Sequence, residues 1–198
     1  MAEEQYITNW YSSCEWDRIK PLDFLQICER IHLRTSEIMG FWKDAYGWAP
    51  KDPANLLNRS MLEWQISLAE CLSRWVDASS PGELILAWAN LGCLVEGQMK
   101  LLLCVYYHAY EEDAEAVVCK GKLRDPDGLQ MEHLRQFFQK RIWETGADWN
   151  QWILHIQERR NAIHAFKRRR IGTFDEWRKD VRKFLLFLED MDGSLPYP

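Results

Sequence analysis

The stretch Ser80-Pro81-Gly82-Glu83, followed by the nearly apolar run Leu84 to Val95, constrains this chain more than any other. A serine N-cap, a proline in the first turn and a glutamate three residues after the cap form a capping box, predicting a helix that continues to about Glu112. At 1.5 Å per residue, roughly 30 residues span about 45 Å. Its first half is apolar on most sides, so other helices are expected to surround it, as the one long central helix of a bundle. Asn90 interrupts the run and Glu96 closes it, short of the roughly 20 apolar residues needed to cross a bilayer, so no membrane segment is expected.

The rest of the sequence has the same character. No stretch shows the apolar and polar alternation, bounded by turn residues, that a strand needs. The expected fold class is all-α, a single-domain bundle (1–198) of about seven helices. Helices are predicted over about Glu4 to Asp17, Leu22 to Lys43, from Pro53 to about Asp77, Ser80 to Glu112, Asp127 to Trp143, Asp148 to Phe166 and Thr173 to Met191. Leu22, Leu25, Ile27, Ile31, Ile38 and Phe41 mark the inner face of the second. Asp127, Asp148 and Thr173 are the expected caps of the last three. Asp44 to Pro53 is a loop whose Tyr46 and Trp48 are expected to pack down. Asp113 to Gly128, with Gly121, Pro126 and Gly128, is the expected mobile linker. The tail from Gly193 is not expected to be helical.

With 198 residues, 47% of them hydrophobic, the chain is large enough to bury a core without disulfides or metals. The 11 tryptophans include Trp64, Trp75 and Trp88 at helical intervals beside Leu and Ile, where core packing is expected rather than base stacking. Trp149 and Trp152 are expected to fix their helix in place. The cysteines at 14, 28, 71, 93, 104 and 119 include no C-x-x-C pair and no zinc-type spacing. They fit small core residues of a reduced compartment, so a cytoplasmic protein is expected. The acidic start, Met1 to Gln5, lacks the basic beginning and apolar centre of a secretory signal.

The formal charge of −5 conceals an asymmetry: residues 159–183 hold ten Lys and Arg against three acids, a surplus of seven, leaving −12 on the remainder. Such a segment is an electrostatic footprint for a polyanion or a docking surface for an acidic partner. It begins with Arg159-Arg160-Asn161-Ala162-Ile163-His164 and continues through Lys167-Arg168-Arg169-Arg170.

An arginine, four intervening residues and a histidine near the end of a helix in an all-α chain resemble the motif of the HEPN superfamily. Its members are compact helical bundles, many of them metal-independent ribonucleases that dimerise so that two motif copies face one cleft. The resemblance implies that His164 assists proton transfer as a ribose 2′-hydroxyl attacks the adjacent phosphate, while an arginine holds the phosphate. Those roles suit an imidazole that titrates near neutrality and a guanidinium that grips phosphate while staying charged. It further implies an RNA-cleaving homodimer, a bacterial toxin or phage-defence effector, with a place for an antitoxin or regulatory partner. Phe166 stands where some family toxins carry a modifiable tyrosine, so silencing by that route is not expected.

Which arginine belongs to the motif stays open. Spacing favours Arg159. On an ideal helix, however, Arg160 lies in the centre of the stripe formed by Trp149, Trp152, Ile153, Ile156 and Ile163, about 40° from His164, and Asn161 follows it. Lys167, Arg168, Arg169 and Arg170 are candidate RNA-binding residues that also complement the helix C-terminus. The bland alternatives are a polar pair that stitches the interior and a solvated charge run. His32, His108, His133 and His155 have no convincing partners by spacing. Glu111-Glu112-Asp113 is expected to be a solvated corner, and neither metal nor cofactor is expected.

Overall fold

A computed structural model describes residues 17–143, 149–164 and 166–197. The protein is mostly helical, so the all-α expectation holds at that level. The helix expected over Glu4 to Asp17 lies, except for its last residue, outside the described residues, as does the Asp148 cap.

Helix α1 (Phe24–Lys43) starts at Asp23, whose carboxylate accepts from the Gln26 N–H while the Gln26 amide oxygen accepts from the Asp23 N–H. It buries Ile27, Cys28, Ile31, Ile38, Met39 and Trp42, whereas Leu25 and Phe41 stay exposed. A short 3-10 turn (Ala45–Gly47) follows. Trp48 packs on Phe41 and Trp42, with ring centroids 5.0 and 5.3 Å apart, while Tyr46 stays exposed rather than packing down.

The helix expected from Pro53 to Asp77 is divided. Helix α2 (Lys51–Arg59) stops where the Ser60 hydroxyl bonds back to the Leu56 carbonyl and the Ser60 backbone turns extended. Helix α3 (Leu62–Glu70) then passes into a 3-10 segment (Cys71–Trp75). Helix α4 (Pro81–Val105) has the Ser80/Glu83 capping box that its sequence announces. It ends at Tyr106, whose hydroxyl donates to the Ser194 carbonyl, and only a short helix α5 (Tyr107–Glu111) follows. Asn90, the polar interruption, is satisfied by accepting from Trp75 Nε1 and donating to the Leu68 carbonyl.

The expected mobile linker contains a small antiparallel hairpin, β1 (Val118–Cys119) with β2 (Lys122–Leu123). Lys120 and Gly121 both adopt positive φ, the two-residue turn that matches strand twist. The Tyr110 hydroxyl accepts from the Val117 N–H and donates to the Arg124 carbonyl, and Arg59 bridges Asp125 and Asp127, so the segment is fastened at both ends. Asp127 therefore holds Arg59 instead of capping the next helix. Helix α6 (Met131–Arg141) starts at Gln130 without a side-chain cap.

Helix α7 (Trp149–Arg160) tightens into a 3-10 turn (Asn161–His164), and helix α8 (Phe174–Gly193) opens on the Thr173/Glu176 capping box, running two residues past the expected end. Helix α4 packs against α2, α3, α6, α7 and α8. Trp88 of α4 and Trp177, Phe184 and Phe187 of α8 are fully buried. The Trp177 indole donates to the Ala87 carbonyl and the Trp88 indole to that of Ile171. Trp64, expected in the core, is instead 62% exposed. Among the described residues no helix is long and apolar enough to cross a membrane. Cys28, Cys71, Cys93, Cys104 and Cys119 are free, and burial pushes the Cys28 and Cys104 thiols up to about 12.

Candidate functional site

The change from α-helix to 3-10 turn after Arg160 decides where the motif side chains go. A turn of about three residues in place of 3.6 breaks the phase computed for a continuous helix. Ile163, expected on the inner stripe, is 46% exposed for that reason.

Arg159, 7% exposed, is the more deeply buried of the two arginines, while Arg160 keeps its place on the inner stripe by packing on α4. Its Nη1 donates to the Arg170 carbonyl, Nη2 stands 3.6 Å from Glu176 Oε2, and the guanidinium carbon lies 6.0 Å from the centre of the Trp88 ring. Arg159 thus clasps the far end of the basic loop to α7 and to the start of α8. The same Glu176 oxygen accepts from the Thr173 N–H. Gly172, at φ +69°, lets the chain turn there, and a Cβ would lie 1.9 Å from Glu176 Oε2.

Arg160 lies along α4. Its stem rests on Gly92, where a Cβ would come within 2.8 Å of the Arg160 Cβ, Cγ and Cδ, and Nη1 stands 2.9 Å from Glu96 Oε2. Lys100 Nζ holds the other Glu96 oxygen at 2.7 Å. One carboxylate therefore serves two cations, leaving a local surplus of positive charge.

Arg160, Asn161 and exposed His164 line one open cleft of about 480 Å³, which Glu96, Lys100 and Glu132 also border. Arg159 does not line it. Arg135 grips both Glu132 oxygens at 2.6 and 3.0 Å, holding that carboxyl below its ordinary range. Its negative charge at the rim is thereby partly compensated. Lys167, Arg168, Arg169 and Arg170 are all exposed on the loop that follows.

Glu96, Lys100 and Glu132 carry no sequence signal toward this site, because their apposition to Arg160 depends on α4 and α6 packing against α7. His155, without a partner by spacing, finds one across the fold: its Nε2 lies 3.0 Å from Asp180 Oδ2, and Trp152 Nε1 donates to the other oxygen at 2.8 Å. It faces α8 and is not part of the cleft. Among the described residues no three His, Cys, Asp or Glu side chains are grouped as metal ligands.

Comparison with known proteins finds no matching family model, no similar curated protein and no similar solved structure.

Proposed function

We propose that this chain is a metal-independent endoribonuclease of the HEPN type, with Arg160 rather than Arg159 as the motif arginine. The observation that supports this reading is the shared cleft of Arg160, Asn161 and His164, followed in the chain by the exposed Lys167 to Arg170. In this reading the chain is one helical domain with α4 as its long central helix. His164 accepts the proton of a ribose 2′-hydroxyl as its oxygen bonds to phosphorus, and the P–O5′ bond breaks. The products are a 2′,3′-cyclic phosphate and a 5′-hydroxyl that takes up a proton. Arg160 and Lys100 stabilise the phosphate as negative charge gathers on it, and Asn161 supplies a neutral hydrogen bond.

The proposal includes a homodimer that brings two His164 side chains to one cleft, acting in the cytoplasm as a bacterial toxin or phage-defence effector, with an antitoxin or other regulator as its natural partner. A second reading draws on the ion pair of Arg160 with Glu96, which engages the guanidinium in the absence of a substrate. It is a non-catalytic module that binds RNA, nucleotide or a partner protein through the same basic surface.

The two separate in one assay: mixed RNAs incubated with the purified protein in EDTA, with cyclic-phosphate ends as readout. The enzyme reading expects cleavage that falls by about a hundredfold or more in His164→Ala and in Arg160→Ala. A folded wild-type protein that binds RNA and leaves it intact establishes the second reading instead.

A further inference from the structure

The wall made by Glu96, Lys100 and Arg160 has two sides. One faces the cleft of Asn161 and His164. The other faces a second cleft of about 440 Å³, between α3 and α4, lined by Met61, Trp64 and Gln65. Both volumes fall within the roughly 300–1,000 Å³ of small-molecule sites.

Three features give the second cleft its chemistry. The Trp64 indole is 62% exposed at its lining, although the neighbouring Leu62 and Ala69 of the same helix are buried. An exposed indole offers a flat π-face to a base of any identity. The Gln65 amide lies against α4 at Gly97, where a Cβ would stand 2.1 Å from its oxygen, and that oxygen is buried without a hydrogen-bond partner. A buried acceptor lacking a donor is costly, and a ligand N–H relieves it once the amide turns toward the cleft. Lys100 and Arg160, finally, present cationic groups to both clefts at once.

We propose that this second cleft is a nucleobase subsite for single-stranded RNA, in which Trp64 stacks a base next to the phosphate that Lys100 and Arg160 hold. The inference rests on the ribonuclease reading of the neighbouring cleft. A protein partner would find only Met61 and Trp64 as exposed large hydrophobics in the lining, far short of the apolar face a stable protein interface needs. A strand alternates base and phosphate, and the arrangement here is an aromatic face, then a cationic wall, then the residues of the proposed chemistry.

The test is binding of a fluorescein-labelled, fully 2′-O-methylated oligonucleotide of about 12 residues, which lacks the attacking hydroxyl and fits the span of single-strand sites. Fluorescence anisotropy is expected to show about tenfold weaker binding for Trp64→Ala, recovery in Trp64→Phe, and no change for Leu33→Ala, an exposed apolar control. Thermal melting of each variant verifies folding. Equal affinity of Trp64→Ala and wild type overturns the subsite whether or not unmodified RNA is cleaved. Tenfold loss for the Leu33 control overturns it too, since the effect is then not local. A wild type that cleaves RNA while Trp64→Ala binds normally leaves the ribonuclease reading standing and sinks the subsite alone. A wild type that neither binds nor cleaves sinks both.

Discussion

Arg159 and Arg160 are neighbours in sequence with opposite employment. Arg159 is buried, joined to the Arg170 carbonyl and to Glu176, while Arg160 is half-exposed on α4 beside Glu96. Replacing Arg159 by alanine releases the Arg170 carbonyl and Glu176, and removes a buried side chain from the Trp88 face, so Arg159→Ala is expected to lower unfolding free energy by about 2 kcal/mol. Exposed His164 has no comparable role, and His164→Ala is expected to stay within about 0.5 kcal/mol of the wild type. Urea denaturation of the two variants measures both. Equal losses would contradict the division of labour, and a large loss for His164 alone would favour the interior-stitching reading. The sequence was legible here to within one residue. It offered both arginines, but the choice depends on carbonyl and carboxylate partners that return to Arg159 from residues 170 and 176.

At the level of elements, local signals were the readable ones. The Ser80/Glu83 and Thr173/Glu176 boxes close within four residues and set the starts of α4 and α8. The early end of α4 was not readable, because Tyr106 bonds to Ser194, 88 positions away. Nor was the hairpin, whose strands are two residues each and leave no alternation to detect. The approach of α7 to α4 at Gly92 belongs to this scale. A methyl group there overlaps the Arg160 stem close to the backbone, where the side chain has least freedom to move. Gly40, inside α1, has nothing within 4 Å of its would-be Cβ. Gly92→Ala is therefore expected to destabilise by about 1–3 kcal/mol through overpacking. Gly40→Ala is expected to stabilise by up to about 1 kcal/mol through helix propensity. If Arg160 acts as proposed, Gly92→Ala also loses RNA cleavage below its melting temperature, whereas Gly40→Ala retains it. Matching signs in the two melting curves would refute the close approach of α7 to α4.

Across the whole molecule, the charge asymmetry visible in the sequence divides into two populations that composition alone does not separate. Arg178 pairs with Asp175 and donates to the Val76 carbonyl, Arg182 donates to the carbonyls of Ile19 and Leu22, and Lys183 lies over the Trp149 and Trp152 rings. These cations hold α8 to its neighbours. Lys167 to Arg170 are exposed on a loop anchored through Arg159 and the Trp88 indole. A strand that crosses this loop releases counterions in proportion to the phosphates it meets, about 0.7 log unit in affinity per log unit of salt for each single-strand contact. Replacing all four residues by glutamine is therefore expected to flatten the salt dependence of single-stranded RNA binding by up to about 3 in slope, with little change in melting temperature. Arg182→Gln is expected to do the reverse, lowering stability because two backbone carbonyls lose their donor while the slope stays as it was. Affinity measured across a salt series for the two variants decides the matter. A fourfold replacement that leaves the slope unchanged would mean that the loop's charge is solvated surface and that the strand, if it binds, is held by Arg160 and Lys100 without it.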